Sequence, residues 1–286
     1  MKIIQNEPMK NHTTFKIGGF ADEFCEAASI QDVFSALEYA KEKNLPIFVM
    51  GNGSNLLVSD KGIRGLVLKL SDKFSKCEII GDIIRAESGI LLSSLSKTAQ
   101  KNSLTGMEFA AGIPGTLGGA IYMNAGAYGG EMKDIVKSVT YLKDGKIKKI
   151  ENGFGFGYRK SVFADNNAII LEAELKLEKG NSDEIWGKME ELKKRRVEKQ
   201  PLSMASAGST FKRPEGYFAG KLIEDAGLKG YAVGGAAVSE KHSGFVVNKG
   251  NAKAEDVISL IRYIQKTVKE KFGVELETEV KMVGEF

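Results

Sequence analysis

Residues 112–130 read GIPGTLGGAIYMNAGAYGG, a stretch that is too rich in glycine for the interior of a helix or a strand. Its order is too specific for a flexible linker. Glycine loses much conformational entropy on folding, so a chain uses it where φ must be positive or where another group must approach the main chain closely. A phosphate or a flat ring is such a group. We therefore interpret 112–130 as a loop that holds a ligand against its backbone.

A second glycine-rich loop, GNGSNL at 51–56, follows a strand-like stretch. Leu56 stands where the dinucleotide fingerprint GxGxxG needs its third glycine, and the P-loop pattern GxxxxGK[ST] is missing as well. Two glycines, a serine and two asparagines can still bind a pyrophosphate through main-chain N–H groups and side-chain donors. Taken alone, the loop is explained equally well as a tight β-turn.

The two loops together change that balance. Both lack charged residues, and Asn124 and Tyr128 stand among small residues in the second one. This combination suits a long ligand with a pyrophosphate and an apolar ring. It favours FAD over ATP, because no carboxylate cluster with the spacing of a magnesium site accompanies the loops, and we expect no metal site. The residues that we predict to bind FAD are Gly51, Asn52, Gly53, Ser54, Asn55, Leu56, Gly112, Ile113, Pro114, Gly115, Gly118, Gly119, Asn124, Ala125, Gly126 and Tyr128.

The 286-residue chain has an ordinary globular composition and is long enough for two or three subdomains. Its net charge is +4, and no Lys/Arg block alternates with aromatic residues as a nucleic-acid groove requires. No apolar stretch has the length of a membrane span or a signal peptide. We therefore expect a cytoplasmic protein without nucleic-acid or membrane partners. Cys25 and Cys77 show no disulfide or zinc spacing and are expected to be reduced thiols.

Hydrophobic periodicity predicts helices that alternate with short strands. Ser29 is the predicted N-cap of the first helix, and Pro201 marks the predicted subdomain boundary. The sequence KKRRVEK at 193–199 is interpreted as a solvated helix face. Predicted helices span 29–44, 91–102, 182–199, 218–225 and 254–272, and the last predicted strand spans 274–280.

Serine hydrolase chemistry is disfavoured. Residues 207–211 read AGSTF, where a nucleophile elbow needs GxSxG. His12 and His242 are the only histidines, so a Ser-His-Asp triad has few possible bases.

Six motifs follow one another along the chain. They are HTTFKIGG at 12–19, GNGSNLLVSD at 51–60, GIPGTLGGAIYMNAGAYG at 112–129, GYRKSVF at 157–163, SAGSTFKRP at 206–214 and LETEVKMVG at 276–284. In this combination and order the chain resembles the UDP-N-acetylenolpyruvoylglucosamine reductase family, FAD enzymes of peptidoglycan precursor synthesis, over nearly its whole length. No inserted tyrosine-bearing loop precedes SAGS, so the chain resembles the shorter, second type of the family.

The resemblance implies an α+β fold, in which a two-subdomain FAD-binding fold of the vanillyl-alcohol oxidase type is followed by a C-terminal α/β substrate-binding subdomain. The implied parts are 1–70 with the tail 279–286, then 71–200, then 201–278. The resemblance also implies non-covalent FAD, which leaves His12 structural, and NADPH as the reductant.

The implied reaction reduces the enolpyruvyl ether of UDP-N-acetylglucosamine enolpyruvate to UDP-N-acetylmuramate. NADPH reduces the flavin, and the methylene carbon of the substrate then takes the hydride while negative charge spreads into its carboxylate. By resemblance, Arg159 binds this carboxylate, Glu279 assists if it is protonated, and Ser209 delivers a proton. Taken singly, each residue is better explained by a structural role, as a surface ion pair, a solvent-facing strand residue and a turn hydroxyl. The shared motifs favour catalysis.

Tyr158, Lys212, Arg213 and His242 are the candidates for anchoring the UDP-sugar substrate. Arg213 stands where the family commonly has Asn, and Ala237 stands where Gln is frequent. A solvated surface explains the two basic residues equally well.

Two alternatives remain open. One keeps the flavin fold but takes a sugar or a lactone as the substrate, and reoxidation of the reduced flavin by an enolpyruvyl substrate would decide against it. The other is a nucleotide-binding module without redox chemistry, which the absence of a flavin spectrum would favour.

Overall fold

The computed structural model describes residues 1–164, 166 and 168–286, along which helices alternate with short strands. The helices are α1 (Ile30–Glu42), α2 (Leu92–Lys101), α3 (Leu117–Met123), α4 (Ser182–Lys199), α5 (Ala219–Asp225) and α6 (Ala254–Phe272). The strands are β1 (Ile4–Pro8), β2 (Phe20–Ala27), β3 (Ile47–Met50), β4 (Leu56–Val58), β5 (Ile63–Leu70), β6 (Cys77–Ile80), β7 (Ile83–Glu87), β8 (Leu104–Thr105), β9 (Gly126–Ala127), β10 (Gly130–Glu131), β11 (Val136–Lys143), β12 (Lys146–Ile150), β13 (Ile169–Lys176), β14 (Glu178–Lys179), β15 (Ala205–Ser206), β16 (Ala232–Val233), β17 (Ala236–Val238), β18 (Val246–Asn248) and β19 (Lys281–Val283).

The predicted helices form close to their predicted bounds, because local signals define their ends. Ser29 caps α1, since its Oγ accepts a hydrogen bond from the N–H of Asp32 at 3.1 Å. At the start of α6, the carboxylate of Asp60 accepts the N–H groups of Ala254 and Glu255 at 2.9 and 3.1 Å. Among the described residues, no helix combines the length and the hydropathy that a bilayer crossing needs.

The chain folds into two units. The first unit comprises residues 1–3, 25–52 and 67–196, and the second comprises 4–24, 53–66 and 197–286. Strands β2 and β5 each contribute residues to both units.

An antiparallel sheet forms the centre of the first unit, with the strand order β12-β11-β13-β7-β6. Strands β7, β11 and β13 share an apolar core with α2 and α3. The core includes Ile84, Val139, Leu175, Leu95 and Ile121. In α3, a Cβ on Gly118 would lie 2.8 Å from the Cβ of Ser88, so glycine lets α3 approach the end of β7 closely.

In the second unit, α6 packs against β16, β17 and α5, and the sheet has the order β15-β18-β17-β16. The apolar side chains of α6 that enter this core include Val257, Leu260, Ile261 and Ile264. The strand predicted over 274–280 is wrong in its bounds. Thr278 forms a single bridge with Phe211, and β19 begins only at Lys281, where parallel pairing with β4 starts.

Glu174 on β13 is the centre of a charged cluster in the first unit, and only 7% of this residue is exposed. Its carboxylate accepts hydrogen bonds from Arg85 at 2.8 Å, Ser138 at 2.9 Å and Lys149 at 3.2 Å. These donors lie on β7, β11 and β12. The hydrogen bond from Arg85 is the main cause that lowers the pKa of Glu174 to about 2. One ionised carboxylate therefore links four strands.

We expect Glu174 to make the stability of the protein fall in acid. Its pKa lies below the ordinary value of 4.5, so the ionised carboxylate stabilises the fold above about pH 5, and this contribution is lost as the pH falls toward 2. The upper limit of the contribution to the free energy of unfolding is about 3 kcal/mol. Urea denaturation at several pH values should show a flatter acid limb for Glu174→Gln than for the wild type.

Glu38→Gln changes an exposed carboxyl on α1 and is the matched control for Glu174→Gln. We expect Glu38→Gln to keep the acid limb of the wild type. If Glu174→Gln also kept it, the role assigned to the cluster would be wrong.

Candidate functional site

The two predicted glycine-rich stretches meet in the first unit, but the interpretation of all of 112–130 as a loop is wrong, because 117–123 form α3 and 126–127 form β9. A Cβ on Gly51 would lie 2.2 Å from Oγ1 of Thr116, so only glycine allows this approach. The side-chain amide of Asn52 donates a hydrogen bond to the carbonyl oxygen of Pro114 at 2.7 Å. Residues 51–52 are therefore joined to the start of the 112–130 stretch.

Main-chain hydrogen bonds fix this second loop against α2 and the end of β7. The N–H of Leu92 donates to the carbonyl of Gly115 at 3.0 Å, and the N–H of Gly118 donates to that of Ser88 at 2.8 Å. The loop carries no charged side chain. Its backbone is therefore compatible with the predicted binding of the pyrophosphate or the flat ring of FAD.

Asn124 ends α3 in the left-handed conformation, with φ of +47°, and is buried. Its amide nitrogen donates to Oε2 of Glu131 at 2.8 Å and to the carbonyl of Gly157 at 3.0 Å. Its Oδ1 accepts the N–H of Lys133 at 2.9 Å. Both amide hydrogens are thus used by protein groups, so the side chain of Asn124 positions the turn that starts at Gly157. Sequence reasoning did not anticipate this role.

The hairpin of β9 and β10 carries further residues of the predicted FAD site. Gly126, which follows Ala125, pairs in β9 with Glu131 in β10. Tyr128 lies at the turn, has φ of +53° and is 45% exposed. Ile113, in the other part of the stretch, packs half-buried against the core of the first unit.

Arg159 lies in a tight turn of the first unit. Gly157 and Lys160 exchange main-chain hydrogen bonds at 3.0 and 3.3 Å around it, and Arg159 is half-buried with φ of +55°. This conformation is uncommon for a residue other than glycine and persists where the surroundings fix it. The guanidinium carbon lies 5.1 Å from the centre of the exposed ring of Tyr158. The turn therefore presents a cation beside an aromatic ring.

In the second unit, Thr210 joins the segments that carry Ser209 and Glu279. Its carbonyl accepts the N–H of Glu279 at 2.8 Å, and its buried Oγ1 accepts the N–H of Val246 at 3.0 Å. Ser209 and Glu279 are both half-buried, and Gly208 turns the chain before Ser209 with φ of +78°. The two residues thus lie on neighbouring segments. Sequence reasoning missed Thr210, and its place beside Ser209 was the only signal for it.

Residues 53–56 of the first glycine loop also belong to the second unit. The side-chain amide of Asn55 donates to the carbonyl of Glu279 at 2.9 Å, and the carbonyl of Asn55 accepts the N–H of Lys281 at 2.9 Å. Gly53 is buried with φ of +64°, and Ser54 and Leu56 are half-buried. A predicted FAD loop and a predicted catalytic segment are therefore joined within this unit.

Two predicted substrate-anchoring cations of the second unit have different surroundings. Lys212 forms an ion pair with Glu277, and its N–H donates to the carbonyl of the same residue at 2.8 Å. Arg213 is exposed, and its guanidinium carbon lies 4.1 Å from the centre of the Phe218 ring. Lys212 must therefore give up its ion pair with Glu277 to bind an anion.

His242 is packed as a neutral residue. Its Nδ1 accepts the N–H of Gly244 at 3.1 Å, and its ring meets the edge of Phe245 at a centroid distance of 5.0 Å. Burial is the main cause that lowers the pKa of His242 below 6.5. This imidazole is therefore uncharged at pH 7.

Two family models match the chain. One is described as an FAD binding domain and matches residues 21–151. The other is described as the C-terminal domain of UDP-N-acetylenolpyruvoylglucosamine reductase and matches residues 200–283. These matches confirm the predicted cofactor and the predicted order of an FAD-binding part followed by a distinct C-terminal part.

Several relatives are similar over nearly the full length. A UDP-N-acetylenolpyruvoylglucosamine reductase of Caldanaerobacter subterraneus subsp. tengcongensis is 57% identical, with 99% of this chain and 94% of that protein covered. One from Clostridioides difficile is 55% identical, with 98% and 93% covered. The crystal structure of the Thermus caldophilus reductase aligns with a TM-score of 0.86 at 36% identity, covering 99% of this chain and 98% of that one. The predicted α+β fold class is confirmed, and this chain belongs to the UDP-N-acetylenolpyruvoylglucosamine reductase family.

Proposed function

We propose that this protein reduces the enolpyruvyl ether of UDP-N-acetylglucosamine enolpyruvate to UDP-N-acetylmuramate, with FAD as its cofactor and NADPH as the reductant. The observation that carries the proposal is the pairing of the Ser209 and Glu279 segments through Thr210 in a member of this family. When bound, FAD supplies hydride transfer from NADPH to the methylene carbon of the substrate. The protein must stabilise the negative charge that forms next to this carbon and then protonate it.

Ser209 is the proton donor in this proposal. A neutral hydroxyl is a weak acid in water, so it needs fixed placement close to the carbon that it protonates. The backbone around it supports a fixed position for this hydroxyl, because Gly208 turns the chain before it and Thr210 is held after it by hydrogen bonds to Gly244 and Val246.

Glu279 is proposed to stabilise the developing enolate as a protonated acid. An ionised carboxylate would repel that charge, whereas a protonated one donates a hydrogen bond to it. Glu279 is half-buried, whereas Glu277 is exposed and pairs with Lys212. The two acids of the LETEV motif therefore lie in different surroundings, and those of Glu279 are the less exposed to solvent.

Arg159 is proposed to bind the substrate carboxylate. A guanidinium forms two parallel charge-assisted hydrogen bonds to a carboxylate, and they strengthen as electrons move into it. Tyr158 beside it and Arg213 of the second unit are proposed to anchor other parts of the substrate. Lys212 is a weaker candidate because it already forms an ion pair with Glu277. His242 is a weaker candidate because burial lowers its pKa and leaves it uncharged.

The division into 1–70 with 279–286, 71–200 and 201–278 remains part of this proposal. So does a cytoplasmic location, which suits a reaction between NADPH and a nucleotide sugar. The alternative, an FAD oxidoreductase for a sugar or a lactone, has no observation of its own in its favour.

Replacing Ser209 should separate the two half-reactions. In Ser209→Ala, NADPH should bleach the flavin absorption at nearly the wild-type rate, because no proton donor is needed there. Recovery of the absorption on addition of the enolpyruvyl substrate should slow by about 10²–10⁴-fold. Anaerobic stopped-flow absorbance measures both rates, and Ser203→Ala, at an exposed position nearby, is the control. Equal slowing of both half-reactions would show that Ser209 is not the proton donor.

Two substitutions of Glu279 should reveal its protonation state. Glu279→Gln keeps an uncharged hydrogen-bond donor, so the second half-reaction should lose less than about tenfold in rate, whereas Glu279→Ala should lose about 10²-fold or more. The same stopped-flow assay measures the loss, and Glu275→Gln, at an exposed position of the same segment, serves as the control. If Gln were as damaging as Ala, an ionised Glu279 would be required instead.

A further inference from the structure

Arg196 lies in the last turn of α4 on the buried side of that helix. The buried residues of α4 are Ile185, Met189 and Leu192. Arg196 continues their spacing of three to four residues. The solvated face predicted for 193–199 is right for 193–195, which are exposed, but wrong for Arg196, which is half-buried. A position that suits an apolar residue therefore holds a cation.

The described part of the protein does not neutralise Arg196. Its Nε is buried and has no hydrogen-bond partner among the described residues, and none of their carboxylates forms an ion pair with it. Burial lowers the pKa of Arg196, and Tyr128 acts in the opposite direction. The neighbouring Arg195, by contrast, is exposed and pairs with Glu191 at 2.6 Å. A guanidinium whose Nε is buried without a hydrogen-bond partner has lost part of its hydration, and a bound anion would compensate for that loss.

The side chain of Arg196 lies against the glycine-rich stretch 112–130. A Cβ on Gly112 would lie 3.0 Å from Cδ and 3.2 Å from Nη1 of Arg196. Tyr128, whose hydroxyl influences the same guanidinium, lies at the other end of the stretch. The stretch itself has no charged residue between 112 and 130. Arg196 therefore adds a positive charge to a loop whose bare backbone fits a pyrophosphate.

We propose that Arg196 binds the diphosphate group of a nucleotide ligand at this loop. A guanidinium matches two phosphate oxygens with parallel N–H donors, which a lysine does not reproduce. The inference rests on the proposed function, in which FAD, NADPH and the UDP-sugar each bring a diphosphate. FAD is the first expectation, because Gly112 and Tyr128 both belong to its predicted site.

Three binding measurements distinguish these sources. Fluorescence titration of the FAD-free protein gives the Kd of FAD, and calorimetry on the FAD-loaded protein gives the Kd values of UDP and NADP⁺. Arg196→Met should weaken FAD binding by about 10–100-fold, and Arg196→Lys by less. If Arg196→Met weakened the binding of UDP or NADP⁺ by the same factor and left the Kd of FAD unchanged, the proposal would be supported, and the diphosphate at Arg196 would belong to that ligand. If all three Kd values stayed within about twofold of the wild type, the proposal would be wrong.

Arg195→Met is the matched control, because it removes an exposed and paired arginine next to Arg196. Thermal unfolding of Arg196→Met and Arg195→Met tests whether both variants are folded, and we expect a cooperative transition for each. Gly112→Ala offers an independent test, since the added Cβ would displace the Arg196 side chain without changing any charge. Its effect on the Kd should shrink in the Arg196→Met background, and an equal effect in both backgrounds would count against the proposal.

The same measurements separate this inference from the proposed function. A wild-type protein that binds FAD but neither UDP nor NADP⁺ would contradict the proposed substrate and reductant. The FAD titration would still decide the role of Arg196.

Discussion

The close approach of Gly51 to Thr116 is the constraint on which the first unit's site depends. Any side chain at Gly51 would overlap the threonine hydroxyl, and Thr116 is itself buried and bridged to Leu91. A shift at either residue would therefore move the loop that begins at Gly112, because a packed interior does not yield by such amounts. The position of this loop in turn determines what the side chain of Arg196 can reach.

In the second unit, a buried hydroxyl group holds the functional segments in place. Thr210 is buried, and buried polar groups need hydrogen-bond partners. Its Oγ1 accepts from Val246, its N–H donates to Gly244, and its carbonyl accepts from Glu279. These bonds satisfy Thr210 and at the same time hold the Ser209 segment beside the Glu279 segment. A valine of the same shape would leave the N–H of Val246 without its acceptor, at a cost of about 1–3 kcal/mol.

Local features of the sequence were predictable and partnerships between distant residues were not. The helix that Ser29 caps, and the amphipathic pattern of α6, depend on neighbours within four positions and follow from the sequence. The partner of Gly51 is Thr116, far along the chain, and no local pattern identifies it. The exposure predicted for Arg196 is wrong for the same reason, because the charges of KKRRVEK do not show which side of α4 is buried.

The turn that carries Arg159 depends on the side chain of Asn124. Both Arg159 and Asn124 adopt the left-handed conformation, which costs about 1–2 kcal/mol for a residue such as arginine and less for asparagine. Glycine at 159 would remove the strain but also the guanidinium. The amide of Asn124 holds the carbonyl of Gly157, and Gly157 and Lys160 exchange two further hydrogen bonds. Each such bond contributes about 1 kcal/mol, which is enough to offset the strain and to keep an arginine at this turn.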